Sequence, residues 1–229
     1  MKRLAIFVEG QTEQIFVTKL LTELATKNSI AIEHQRKHVG QNFLTIKASN
    51  ITTDTKYYVL IRDCRSDSAV KTSIIEVAEK FAEKGYEKIL GLLDVFPLTH
   101  DQLPTLEKWR NFGVPTKYLP INIIFAVMEI EAWFLAEATH FPRIHPSLTT
   151  DHVKTILGFD PLLEPVESRY NPAKDLDDVY KTAGFAYTKK KKNCVRTVET
   201  LDYPSLYLSI KERVQNLKTF INEIEAFLS

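Results

Sequence analysis

Apolar residues fall along this chain in short continuous runs, separated by stretches where they recur every three or four positions. That alternation predicts buried strands linked by amphipathic helices. The first run, Leu4 to Val8, ends at Glu9 and Gly10 and reads as a strand buried on both faces. Behind it Thr12 is placed as an N-cap, and Ile15, Phe16, Leu20, Leu21 and Leu24 keep helical spacing, which predicts a helix from 12 to about 28. The stretch from Ser29 to Lys56 is weakly patterned and predicts one short strand near Ala31 to His38, with a loop or hairpin after Gly40. Tyr57 to Ile61 is the second strong run; a polar turn follows it, then a helix bearing Val70, Ile74, Val77, Ala78 and Phe81 and ended by Gly85. Ile89 to Val95 is the third, stopped by Pro97, with Asp94 near its carboxyl end. Residues 101 to 112 read as helix, and after Pro120 the most apolar run of the chain passes from strand into helix within itself.

Apolar strands alternating with helices predict crossover units, hence an α/β fold with a mostly parallel sheet and helices on both faces. The α/β core is expected over residues 1–138. From His140 the pattern changes to short helical pieces punctuated by Pro142, Pro146, Pro161, Pro165 and Pro172, so residues 139–229 are expected to form a helical appendage or lid, closed by an amphipathic helix over 206 to 228. Composition narrows the class further. At 229 residues the chain is long enough to bury a core without staples, and 44% hydrophobic with 26% charged residues excludes a disordered or collagenous protein. A formal net charge of +1 gives no global field, so a nucleic-acid or membrane partner would have to meet a local patch. Two cysteines, Cys64 and Cys194, are too few for a disulfide framework or a structural zinc site, and neither a secretory leader nor a membrane span is expected from the apolar runs. A soluble, cytoplasmic protein is expected. Phosphate-loop, dinucleotide and nucleophile-elbow motifs are all absent from the sequence.

In an open parallel sheet, ligands bind outside the carboxyl ends of the strands, and here those ends carry Glu9, Asp63, Asp94 and the pair Glu129 and Glu131. Converging carboxylates repel one another unless a cation neutralises them or some stay protonated, and oxygen-only ligands favour Mg²⁺ or Mn²⁺ over zinc. Taken singly, each acid also fits a solvated strand end or a helix cap. Glu13 either aims at the same point as Glu9 or stabilises the first helical turn against its dipole. If residues 121 to 130 are extended, Glu129 and Glu131 share one strand face.

These residues resemble a known family. FVEGQTEQIF, the strand-end acid in LLDVFP, VMEIEAWFLAE and the later NPAKDLDDVYK together look like the stand-alone TOPRIM-like proteins of domain-of-unknown-function family 4276, related to the TOPRIM domains of overcoming-lysogenization-defect nucleases. The resemblance implies a central four-stranded parallel sheet and Mg²⁺-dependent phosphodiester hydrolysis of DNA or RNA, with a role in prokaryotic antiviral defence beside an ATPase partner, and it is compatible with a homo-oligomer. Carried over by position, Glu9 is the general acid or base, Glu13 its companion and Asp94 the first acid of an Asp-x-Asp element, with Glu9, Asp94, Glu129 and Glu131 as metal ligands. The pattern departs at Phe96, where the second Asp belongs; His100 and Asp101 are the nearest substitutes. That departure keeps a rival open: an inactive nucleic-acid- or nucleotide-binding module that works with an ATPase.

Substrate contact is expected from local positive charge. Lys189, Lys190, Lys191 and Lys192 with Arg196 and Tyr187 form one basic, partly aromatic patch, and Arg62 and Arg65 another at the sheet edge. The first reads equally as a solvated segment, the second as an ion-pair cluster with Asp63 and Asp67. The pairs His34/His38 and His140/His145 lack a zincin pattern and read as packing or surface residues, and Trp133, Phe134 and Leu135 as core anchors.

Overall fold

The computed structural model describes residues 1–26, 28–38, 42–188 and 190–229. It is an α/β protein with a six-stranded, mostly parallel sheet and ten α-helices among the described residues. The strands are β1 (Lys2–Val8), β2 (Ile30–Lys37), β3 (Phe43–Ala48), β4 (Tyr57–Asp63), β5 (Lys88–Asp94) and β6 (Ile121–Ala126), in the order β3-β2-β4-β1-β5-β6. β1 runs parallel to β4 and β5, and β2 parallel to β4. β3 returns antiparallel beside β2, because the connection from Lys37 to Phe43 is too short for a crossover. The four apolar runs are therefore β4, β1, β5 and β6, contiguous in the sheet, and β2 and β3 extend it past β4. Gly40, after which the hairpin was expected, lies outside the described residues.

The chain divides into two compact units, one of residues 1–93, 102–125 and 223–229, the other of 94–101 and 126–222. In the first, α1 (Gln11–Leu24) and α2 (Asp67–Glu83) take opposite sheet faces. Thr18 Oγ1 of α1 meets His34 Nε2 at 2.8 Å, and Gln14 Nε2 donates to the carbonyls of Ile61 and Gln35. One residue along, on the other face, Phe7 packs against Phe81 of α2. Gly91 lies on that face too; a Cβ there would sit 3.0 Å from Ile74 Cδ1 and 3.2 Å from Ile123 Cγ1, so a larger residue would oblige those side chains to shift. α1 begins after Gly10 with no side-chain cap, so Thr12 is not its N-cap, and it stops at Leu24, short of 28. α3 (Leu103–Asn111) completes the segment predicted over 101 to 112.

The second unit holds α4 (Glu131–Ala136), α5 (His140–Ile144), α6 (Thr150–Leu157), α7 (Pro172–Lys181), α8 (Lys191–Thr200), α9 (Tyr203–Leu208) and most of α10 (Gln215–Leu228). Its prolines punctuate as their chemistry requires: Pro172 opens α7, where Asn171 caps by accepting the Lys174 amide. The single helix expected over 206 to 228 is broken. Val214 is extended and buried, and Arg213 leaves the helical path to donate to the carbonyls of Ala136 (2.5 Å) and Pro161 (2.9 Å). Trp133, Phe134 and Leu135 are fully buried, Trp133 against Phe220, as core anchors should be. His140 is a packing residue, closed between the Glu137 carbonyl and the Tyr180 hydroxyl. Both cysteines are buried free thiols, and no described helix is long and apolar enough to cross a membrane.

Candidate metal centre

Asp94, Glu129 and Glu131 come together in the second unit, each offering a carboxylate oxygen within 4.8 Å of the others, and all three are buried. Local backbone geometry explains how residues so different in context converge. Asp94 is the last residue of β5, carried there by an apolar strand. β6 ends at Ala126 rather than running to 130, which corrects the expectation of an extended segment. The chain turns through Met128, held at φ +61°, a left-handed conformation that is costly for a residue with a Cβ. That turn is stitched to the residues just after Asp94: the Met128 carbonyl accepts from the amides of Val95 (2.9 Å) and Phe96 (2.8 Å). Glu129 thus lies in the turn and Glu131 opens α4, so a turn, not a shared strand face, presents the two acids.

Each acid is oriented by a donor. Asp94 Oδ1 accepts the Ile130 amide at 3.0 Å, so the strand end and the turn lock each other. Glu129 Oε2 accepts the Ala173 amide at 2.9 Å, in the first turn of α7, where the helix dipole favours negative charge by about 0.3–1 kcal/mol. Glu131 Oε1 accepts the Tyr187 hydroxyl at 2.7 Å, and burial together with the Glu131 charge pushes that phenol well above its ordinary range. Two ionised carboxylates at this separation repel by roughly 3 kcal/mol at an effective dielectric of about 20. A divalent cation among them turns that repulsion into attraction. Three buried carboxylates with oxygen-only donors suit such an ion. The centre is therefore able to hold a divalent metal.

The remaining candidates are placed as follows. Glu9 follows β1 and is half-buried, and Glu13 is buried in the first turn of α1, its Oε2 folded back to 3.3 Å from where a Gly10 Cβ would stand. Both belong to the first unit. Phe96 packs edge-on to Tyr170, His100 Nε2 meets the Glu167 carbonyl at 2.7 Å, and Asp101 takes the Thr99 hydroxyl. Arg62 is half-buried: its Nε donates to Gln35 Oε1, and its guanidinium lies over Phe43 (4.5 Å), Phe81 (4.8 Å) and Phe7. Asp63 pairs with Arg36 from the neighbouring strand at 2.7 Å and caps the Arg65 amide, so the ion-pair cluster of Arg62 and Arg65 with Asp63 and Asp67 is replaced by another partner. Arg65 is exposed.

In the basic segment, Lys190, Lys191 and Lys192 are exposed at the start of α8, whose first turn has no acid; Lys189 lies outside the described residues. Arg196 braces the preceding loop, donating to the Ala186 carbonyl and lying over Phe185 at 5.0 Å. Tyr187 belongs not to that patch but to the acidic centre. Sequence reasoning missed it and the α7 N-terminus as partners of the acids; the Asn-Pro pair that opens α7 is the signal that a helix start was available there. Compared with known proteins, the chain matches no family model, no curated protein and no solved structure.

Proposed function

We propose that this chain is a metal-dependent phosphodiesterase of TOPRIM-like type that hydrolyses DNA or RNA. The observation that carries the reading is the convergence of Asp94, Glu129 and Glu131 in one buried, hydrogen-bonded cluster. Those three residues would hold the ion, with Mg²⁺ or Mn²⁺ favoured by the all-oxygen donor set. When bound, such an ion supplies Lewis-acid polarisation of a phosphoryl oxygen and a water acidified toward neutral pH. The chain's own part is positioning. The Ile130 and Ala173 amides and the Tyr187 hydroxyl hold the carboxylates in one geometry, so little reorganisation is needed when charge develops. The resemblance adds Glu9 and Glu13 as acids for proton transfer.

Incubating the protein with supercoiled plasmid and with total RNA, in Mg²⁺, Mn²⁺ or EDTA, tests the reading. Cleavage should require the metal and vanish in Glu131→Gln, while loss in Glu9→Gln would bring the acid that follows β1 into the reaction. No cleavage of either substrate would favour the second reading, which Phe96 motivates: a TOPRIM-like binding module that regulates an ATPase partner.

The exposed lysines of α8 sharpen the nucleic-acid part. Positive charge at a helix N-terminus opposes the dipole by about 0.3–1 kcal/mol per residue, so Lys191 and Lys192 are locally unfavourable where they stand. Replacing both by Glu should raise stability by about 1 kcal/mol in urea unfolding while weakening nucleic-acid binding and flattening its salt dependence. Tighter or unchanged binding in that variant would remove the patch from the substrate path.

A further inference from the structure

The segments that deliver Asp94 and Glu129 also deliver two aromatic rings. Phe96 follows Asp94 by two positions, and Tyr170 precedes by three the Ala173 amide that grips Glu129. Their centroids are 5.6 Å apart at an interplanar angle of 69°; Tyr170 is 50% exposed and Phe96 half-buried. Both rings stand on pinned backbone. The Phe96 amide donates to the Met128 carbonyl, one residue before Glu129. Tyr170 sits between Arg169, which grips Asp175 through two nitrogens at 2.7 and 2.8 Å, and Asn171, the cap of α7. A large ring left half in water, on a backbone held on both sides, is a surface whose ordering cost is met before any ligand arrives.

We infer that Tyr170, backed edge-on by Phe96, is a stacking platform for a nucleobase, so that the acidic centre receives single-stranded nucleic acid. This rests on the phosphodiesterase reading and names its substrate class. The exposed face of a phenol takes any base, because every base has a π-face, which gives affinity without sequence preference. Bases in a duplex are already stacked on one another, so a ring platform favours unpaired strands, DNA or RNA alike. Phe96 then has a role of its own: the ring in place of the acid expected there supports the base beside the centre.

Fluorescence anisotropy with end-labelled 15-mers tests this, using oligothymidylate, oligouridylate and a chain of the same length built of abasic residues, each in Mg²⁺ and in EDTA. The wild-type protein should bind the base-bearing chains about 5- to 100-fold more tightly than the abasic one. Tyr170→Leu should lose most of that preference and leave abasic binding unchanged, while Tyr170→Phe should keep it. Thermal melts of both variants check that the half-exposed position leaves folding intact. Equal affinity for base-bearing and abasic chains, an unaltered preference in Tyr170→Leu, or no binding of any chain would overturn the inference. The readout needs no cleavage: preference through Tyr170 without hydrolysis would refute the nuclease and keep the platform, and hydrolysis indifferent to Tyr170→Leu would do the reverse.

Discussion

Asp94→Asn should abolish divalent-cation binding and reduce metal-dependent cleavage by about 10³-fold or more. The substitution isolates charge: an Asn Oδ1 still accepts the Ile130 amide that Asp94 accepts at 3.0 Å, so the tie between residue 94 and the Met128 turn survives. What disappears is one negative charge from a group whose ligand atoms lie within 4.8 Å of one another. Without metal, the variant should be at least as stable as the wild type, since repulsion with Glu129 and Glu131 is relieved. With metal the order reverses. A ligand at 100 times its Kd stabilises the folded state by about 2.7 kcal/mol, which for a chain of this size raises Tm by about 5–10 °C in the wild type only. Titration calorimetry and melting curves with Mg²⁺ and Mn²⁺ read both effects. Unchanged metal affinity in Asp94→Asn would mean that the acidic cluster is a structural feature and not a metal centre.

The second large effect is expected in acid. His140 is wholly buried, and burial, reinforced by the charge of Arg143, pushes its imidazole down to about 4 although the Glu137 carbonyl works the other way. Between pH 6.5 and 4 the unfolded chain therefore binds a proton that the folded chain refuses, so stability falls as pH drops through this window. About 2.5 pK units correspond to roughly 3 kcal/mol. Glu137 acts with the opposite sign. Burial raises its carboxyl despite hydrogen bonds from Thr139 and the Asp202 amide and the nearby Arg143, so the folded chain takes up that proton first and recovers some stability as pH falls. Urea unfolding at pH 7.5, 5.5 and 4.5 should show the net loss, and His140→Gln, less stable at neutral pH, should show a much flatter dependence. His140 itself titrating near 6.5 by NMR, or an equal slope in the variant, would remove it as the source.

Much of this was legible in the order of residues, and the exceptions share a cause. β1, β4, β5 and β6 announced themselves because a strand buried on both faces must be continuously apolar. β3 did not: it is an edge strand whose side chains are almost all exposed, so the periodicity that burial imposes is missing. Asp94 was recognisable as a candidate because it closes an apolar run at a strand's carboxyl end, although taken singly it also fits a solvated strand end or a helix cap. Glu129 and Glu131 were identified as candidates, but the expectation of a shared strand face was wrong in its geometry. Local pattern does not show that Met128 enters a left-handed turn, because the hydrogen bonds that hold it there come from Val95 and Phe96, far back in the chain.

Hydrophobic periodicity alone therefore determined the α/β class, the four contiguous strands β4, β1, β5 and β6, their helices and the strand end that carries Asp94, since each of these follows from burial over a few consecutive residues. Tertiary structure alone decided that Glu129 turns onto the start of α7, that Tyr187 holds Glu131, and that Arg62 lies over the rings of Phe43, Phe81 and Phe7. Those outcomes depend on which distant backbone amide, hydroxyl or ring a polar group meets once the strands have aligned, and spacing along the chain carries no information about such meetings.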